Sequence, residues 1–296
     1  MVEKSNTEII KIINLQLKEL GVNIINESDI KIIKVIGQGG FGKVYEALFN
    51  DKKVAVKELM LSIGDENVIK EITNEISVIQ KAAHERLPLF HGVITSTSGN
   101  LCLVFEFING PTLKDNIKNM DEKEKFDTLV QLLEILESMH NKKLIHRDIK
   151  PANIMIEEGN KVRLIDFGVS KIASKTCTFT KTQMGTTAYM APECFDVDIE
   201  MDPSETDKPI AISGQVDIWA VGTMASEIFS GGIIPWSQKC KTAMAIEIKL
   251  TNKKPFPIPE QITNEKAKKV IKASTIIDPT ERAKAKDLIK IIKEEE

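Results

Sequence analysis

The chain has 296 residues, 42% of them apolar and 28% charged, with a formal net charge of -3. That length supports a sizeable core in one large domain or two lobes. The near-neutral balance, without a long Lys/Arg block, argues against a nucleic-acid partner.

The four cysteines, Cys102, Cys177, Cys194 and Cys240, form no C-x-x-C pair. Neither a zinc site nor a disulfide framework is therefore expected, and free thiols in a reducing compartment are. The opening MVEKSNTEIIK lacks the apolar core of a signal peptide, and Val2 breaks the myristoylation pattern. With no apolar run long enough to span a bilayer, the expectation is a cytoplasmic protein without a membrane partner.

Ile9, Ile10, Ile13, Leu17 and Leu20 recur at helical spacing, with Ser5 or Asn6 as N-cap and Gly21 past the end. This N-terminal helix packs on the body of the domain or, alternatively, binds a partner. Two strand-like runs, Ile30–Ile36 and Val44–Phe49, flank Gly37-Gln38-Gly39-Gly40-Phe41-Gly42. Alone, this G-x-G-x-x-G also fits a dinucleotide-binding fold, but there a helix must follow the glycines. Here a strand follows and ends in the turn Asn50-Asp51, so the glycines cap a hairpin whose backbone N–H groups can lie over phosphates.

Val54-Ala55-Val56-Lys57 is another strand, with a lysine in its middle. Residues Glu66–Lys81 form a helix with Val68, Ile72, Ile76 and Ile79 inward and Glu75 on the same stripe; Glu71, one turn earlier, is the weaker candidate. A carboxylate beside an apolar face needs a cation, and Lys57 supplies one. Leu101–Asn109 reads as a buried strand entering a polar link, Asn109-Gly110-Pro111. Glu122–His140 carries more apolar residues than one stripe needs, the mark of a helix buried on most sides.

Ile145 to Gly168 reads IHRDIKPANIMIEEGNKVRLIDFG. Ile154–Ile156 and Val162–Ile165 form two strands around a turn at Glu158-Gly159-Asn160. Asp148, Asn153 and Asp166 supply carboxylate and amide oxygens, the ligands that magnesium takes while leaving positions for phosphate.

His146-Arg147-Asp148-Ile149-Lys150-Pro151-Ala152-Asn153 and Asp166-Phe167-Gly168 resemble the H-R-D-x-K-x-x-N and D-F-G signatures of the eukaryotic-type protein kinases. The glycine run and the V-A-x-K strand match the same family, over roughly residues 30 to 293. The resemblance implies an α+β bilobal fold, a small antiparallel sheet with one helix and a larger helical lobe. Its divisions are an N-terminal helical extension (1–29), an N-lobe (30–106), a hinge (106–111) and a C-lobe (112–293).

It also implies ATP and Mg2+ as cofactors. Gly37, Gly39 and Gly42 would cover the phosphates, and Lys57, oriented by Glu75, would hold the α- and β-phosphates. Val44, Ala55 and Met155 would wall the adenine pocket, Phe105 would guard its back, and the backbone of Glu106 and Ile108 would bond the adenine edge. Asp148 would accept the substrate proton, Lys150 would neutralise the γ-phosphate, and Asn153 and Asp166 would hold the metal.

Lys150 and Gly185-Thr186, leading into Tyr189-Met190-Ala191-Pro192-Glu193, resemble the serine/threonine class, with Thr186 in the substrate platform. Arg147 would bind a phosphate on a Thr-rich segment, best at Thr182 and second at Thr180, placed there by an upstream activating kinase. Asp217 would brace the catalytic-loop backbone and Arg282 would pair with Glu193. Residues 196–213, DVDIEMDPSETDKPIAIS, depart from the family as a long acidic insert, either disordered or a docking surface for basic substrates. An ATP-binding pseudokinase scaffold and a small-molecule kinase are the alternatives to a protein kinase acting on protein substrates.

Overall fold

The computed structural model describes residues 6–39, 42–59, 66–82, 84–95, 101–166, 184–195 and 213–294, without the side chains of 6–10, 39, 66–71, 75, 81 and 184–185. The chain divides into two compact units, Met1–Asn109 with Ile165–Thr180, and Gly110–Leu164 with Lys181–Glu296.

The first unit contains α1 (Asn6–Glu19), β1 (Ile30–Gly39), β2 (Gly42–Phe49), β3 (Lys52–Leu59), α2 (Glu66–Lys81), β4 (Phe90–Thr95) and β5 (Leu101–Glu106). The five strands form an antiparallel sheet in the order β1-β2-β3-β5-β4. The turn between β2 and β3 holds Asn50 and Asp51 at φ 49° and 59°, the left-handed pair that a two-residue hairpin turn requires and that Asn and Asp tolerate. Pairing of β1 with β2 runs through the glycines to Gly39 opposite Gly42, so these strands reach further into the glycine run than side-chain propensity indicates.

Register decides the two faces of this sheet. Val44 lies opposite Lys57, Ala55 opposite Phe105 and Lys57 opposite Leu103, so Val44, Ala55, Lys57 and Phe105 share one face. The other face buries Ala47, Val54, Val56 and Val104 with Ile25 and Ile94.

The second unit holds α3 (Leu113–Asn116), α4 (Glu122–Asn141), the hairpin β6 (Ile154–Glu157) and β7 (Lys161–Leu164), α5 (Met184–Thr187), α6 (Gln215–Phe229), α7 (Ala243–Thr251), α8 (Glu265–Ser274) and α9 (Ala285–Lys293). A capping box starts α4: Glu124 N–H donates to Asp121 Oδ1 at 2.8 Å, and Asp121 N–H to Glu124 Oε2 at 2.9 Å. The helix buries Leu129, Leu132, Leu133, Ile135, Leu136 and Met139. Every residue of α6 from Val216 to Ile228 is buried, and α4, α8 and α9 pack in a group with it. A helix buried on all sides acts as the post of a helical unit.

Candidate active site: the catalytic loop and the strand lysine

The loop leaving α4 is shaped by one buried carboxylate. Asp217, near the start of α6, accepts His146 N–H at 2.9 Å and Arg147 N–H at 2.8 Å, and its Oδ2 also lies 2.9 Å from His140 Nε2. These bonds hold Arg147 at φ 69°, a conformation that costs a non-glycine residue energy and persists where its surroundings impose it. His146 is itself buried, and its Nδ1 accepts Asp148 N–H at 3.3 Å.

Asp148 follows, with Oδ2 accepting Lys150 Nζ at 2.8 Å and Asn153 Nδ2 at 2.8 Å. Asn153 Nδ2 also reaches the Asp148 carbonyl at 2.8 Å. Lys150 Nζ extends to Thr186 Oγ1 at 3.5 Å, which brings the segment after residue 183 to the loop. Among the described residues nothing donates to Asp148 Oδ1 or to Asn153 Oδ1. Each side chain is fixed through one atom and keeps an oxygen available. Thr112 bridges Met155 on β6, and Pro111 O accepts Ile156 N–H at 2.9 Å, so the chain after the sheet unit is strapped to the strand that carries Met155.

In the first unit Lys57 is 8% exposed. Its Nζ lies 2.9 Å from Asp166 Oδ1, a carboxylate held at φ 65°. The Glu75 side chain lies outside the described residues; the described partner of Lys57 is Asp166. Gly42 has φ 131°, and a Cβ there would collide with the Glu58 carbonyl, so only glycine lets the hairpin tip approach β3 this closely. Gly37 lies opposite Val44. Val44, Ala55 and Phe105 are half-buried, and the Phe105 ring sits 5.3 Å from that of Phe90.

Glu106 N–H is spent on Leu89 O at 2.8 Å, while its carboxylate takes Leu89 N–H at 3.1 Å. Ile108 is buried and its backbone makes no hydrogen bond to the described residues.

Thr180, Thr182 and residues 196–212 lie outside the described residues. Downstream, Arg282 meets Glu193 at 2.7 and 3.0 Å. Tyr189 OH donates to the Glu227 carboxylate. Burial raises both pKa values above their ordinary range, while the hydrogen bond from Tyr189 partly restores Glu227. Sequence reasoning passed over His140, the Tyr189–Glu227 pair and the Lys57–Asp166 contact. The legible signal was Glu227, a second carboxylate beside Asp217 in a mostly apolar helix that is buried from Val216 to Ile228.

These two constellations, on an antiparallel sheet unit and a mainly helical unit, define the protein kinase class. The chain belongs to that family: the protein kinase domain matches residues 30–291. It is 28% identical to the probable serine/threonine-protein kinase nek2 of Dictyostelium discoideum, over 88% of this chain and 61% of that protein. It is 28% identical to the serine/threonine-protein kinase dst1 of the same organism, over 92% and 36%. A third relative, mitogen-activated protein kinase kinase 7 of Arabidopsis thaliana, is 29% identical over 73% of this chain and 69% of its own. The chain thus spans less than two thirds of the length of these Dictyostelium relatives. No described helix is long and apolar enough to cross a membrane.

Proposed function

We propose that this chain is a serine/threonine protein kinase that transfers the γ-phosphate of ATP to protein hydroxyls. The observation that carries the reading is Asp148. Lys150 and Asn153 immobilise one of its carboxylate oxygens, which leaves Oδ1 to accept a hydroxyl proton. The acceptor oxygen bonds to the γ-phosphorus as the bond to the β,γ-bridging oxygen breaks. Its proton passes to Asp148, and ADP leaves with the bridging oxygen.

The donor set fits ATP and magnesium: Asn153 Oδ1 and the Asp166 carboxylate are hard oxygen ligands, and Lys57 is a cation held nearly free of water. Magnesium, when bound, neutralises charge on the phosphate oxygens. Lys57 would hold the α- and β-phosphates and Lys150 the γ-phosphate. The glycine hairpin from Gly37 through Gly39 to Gly42 would cover them with backbone N–H groups. Val44, Ala55, Phe105 and Met155 would enclose adenine, with Glu106 and Ile108 offering backbone groups and Glu75 orienting Lys57. A serine/threonine acceptor is supported by Lys150 meeting Thr186 and by the printed names of the relatives. An upstream kinase as partner and a cytoplasmic location belong to the same reading. The latter is supported by free thiols at Cys102, Cys194 and Cys240.

The test is phosphate incorporation from labelled ATP into the protein and into a basic substrate protein, beside Asp148→Asn and Asp166→Asn. Label on Ser/Thr that falls by about a hundredfold or more in both variants is expected. Nucleotide binding without label, even after pretreatment with an activating kinase, would replace the enzyme by a scaffold.

A further inference from the structure

The N-terminal helix is not an appendage to the sheet unit. α1 packs along α2, with Ile13 and Leu17 buried at 2% and 0% exposure while Leu15, on the opposite side, is 62% exposed. Polar bonds fix its register. The buried Thr73 donates to Gln16 Oε1 at 3.2 Å, and Gln80 Nε2 donates to Gly21 O at 2.8 Å. Thr73 and Gln80 are seven residues apart, so they lie on one stripe of α2 and are held at its middle and its end. Thr95 on β4 donates to Asn14 Oδ1 at 3.0 Å, tying α1 to the sheet as well.

The chain after α1 then joins that sheet. Val93 N–H donates to Asn23 O at 2.9 Å and Ile25 N–H to Val93 O at 2.8 Å, a short parallel extension of edge strand β4. Gly92 has φ 147°, and a Cβ there would strike the Asn23 carbonyl. The contact therefore needs glycine at that place.

We infer that α1 is a brace that positions α2, with Gln16 and Leu17 acting on phosphoryl transfer through the helix that carries Glu75. α1 and the chain after it are tied to the sheet edge at Thr95 and Val93, and from there they hold α2 at Thr73 and Gln80. A kinase lowers its barrier by positioning groups around the phosphates. An element that fixes α2 therefore sets turnover from a distance. The activity half of this inference rests on the kinase reading; the mechanical half does not.

The experiment uses the full chain with Leu17→Ala and the milder Gln16→Ala, beside Leu288→Ala, another fully buried leucine placed in the second unit. Amide hydrogen exchange over 66–82 is read with kcat and the KM for ATP. Leu17→Ala is expected to speed exchange across α2 by about tenfold and Gln16→Ala by a smaller factor, with β2, β3 and the second unit unchanged. Turnover should fall by about fivefold or more in Leu17→Ala, well beyond any change in the KM for ATP, while Leu288→Ala lowers Tm and keeps kcat.

Unaltered α2 exchange in both α1 variants overturns the brace. So does an equal loss of turnover in Leu17→Ala and Leu288→Ala, which reduces α1 to general stability. A wild type without phosphotransfer defeats the kinase reading alone, because the exchange comparison still decides whether α1 holds α2. Should Leu17→Ala not fold, Gln16→Ala carries the same comparison.

Discussion

Arg282 clamps Glu193 through two guanidinium bonds and spends its remaining donors on carbonyls. Nη1 and Nη2 reach Oε1 and Oε2 at 2.7 and 3.0 Å, Nε donates to Ile276 O, and the second hydrogens of Nη1 and Nη2 go to Gln215 O and Ile277 O. The guanidinium also lies over the Trp219 ring, 5.2 Å from its centroid. One cation thus joins the 192–195 turn, the head of α6 and the 276–282 loop. Both partners are buried, so removing either strands a charge. Arg282→Met is expected to cost about 3–5 kcal/mol in denaturant unfolding. Arg282→Lys should lose most of that too, because an ammonium cannot reproduce the planar fork. A loss under about 1 kcal/mol would show that the clamp holds nothing together.

Asp217 performs a similar service for the catalytic loop with less redundancy. Its two oxygens serve the N–H groups of His146 and Arg147 together with His140. In Asp217→Asn one oxygen becomes an NH2 facing donors, and the left-handed Arg147 backbone loses a restraint. Turnover should fall by about ten- to a hundredfold through misplacement of Asp148, with the KM for ATP within about threefold. An equal rise in KM would point to damage beyond the loop.

Much of this site can be read from spacing because the chemistry fixes residue type and offset together. Lys150 and Asn153 stand two and five residues after Asp148, and in the structure both reach one oxygen of it. The Glu193–Arg282 pair, 89 residues apart, was expected from the family resemblance alone, and the structure forms it. Other features were not legible. An apolar stripe in α1 says that Ile13 and Leu17 are buried, but period alone cannot name α2 as the covering surface. The continuation of β1 to Gly39 was hidden because backbone pairing with β2, not side-chain propensity, extends it. Tyr189 and Glu227 meet across 38 residues, a separation at which no local pattern signals contact.

That Tyr189–Glu227 pair carries a pH dependence. Burial raises the Glu227 pKa, opposed by the Tyr189 hydroxyl and by Lys114. A carboxyl whose folded pKa exceeds its unfolded value favours folding at low pH, and this contribution is lost as pH rises through the folded value. Glu227→Gln keeps an acceptor for the Tyr189 hydroxyl and removes the charge. The Tm of the variant relative to wild type is expected to climb as pH rises from the ordinary glutamate range through the raised folded value of Glu227. A constant difference would mean that the buried charge carries no penalty.

The last prediction concerns a switch on the segment between Gly168 and Thr186. Arg147 is exposed, and its guanidinium has no partner among the described residues, although its backbone is fixed by Asp217. A guanidinium anchored so close to Asp148 is suited to a phosphate, which it can grip with two parallel bonds. We propose Thr182 as the acceptor, with Thr180 second. A phosphate there would add nearly two negative charges and bind Arg147, tying it to the segment that leads to Thr186. Thr182→Ala should then lower turnover of the phosphorylated enzyme by about tenfold, and Arg147→Met should do the same. The double variant should be no worse than either alone, because the two residues act through one contact. Losses that simply add would separate Arg147 from the phosphate, and an unchanged rate in Thr182→Ala, with phosphosites mapped by mass spectrometry, would end the proposal for that residue.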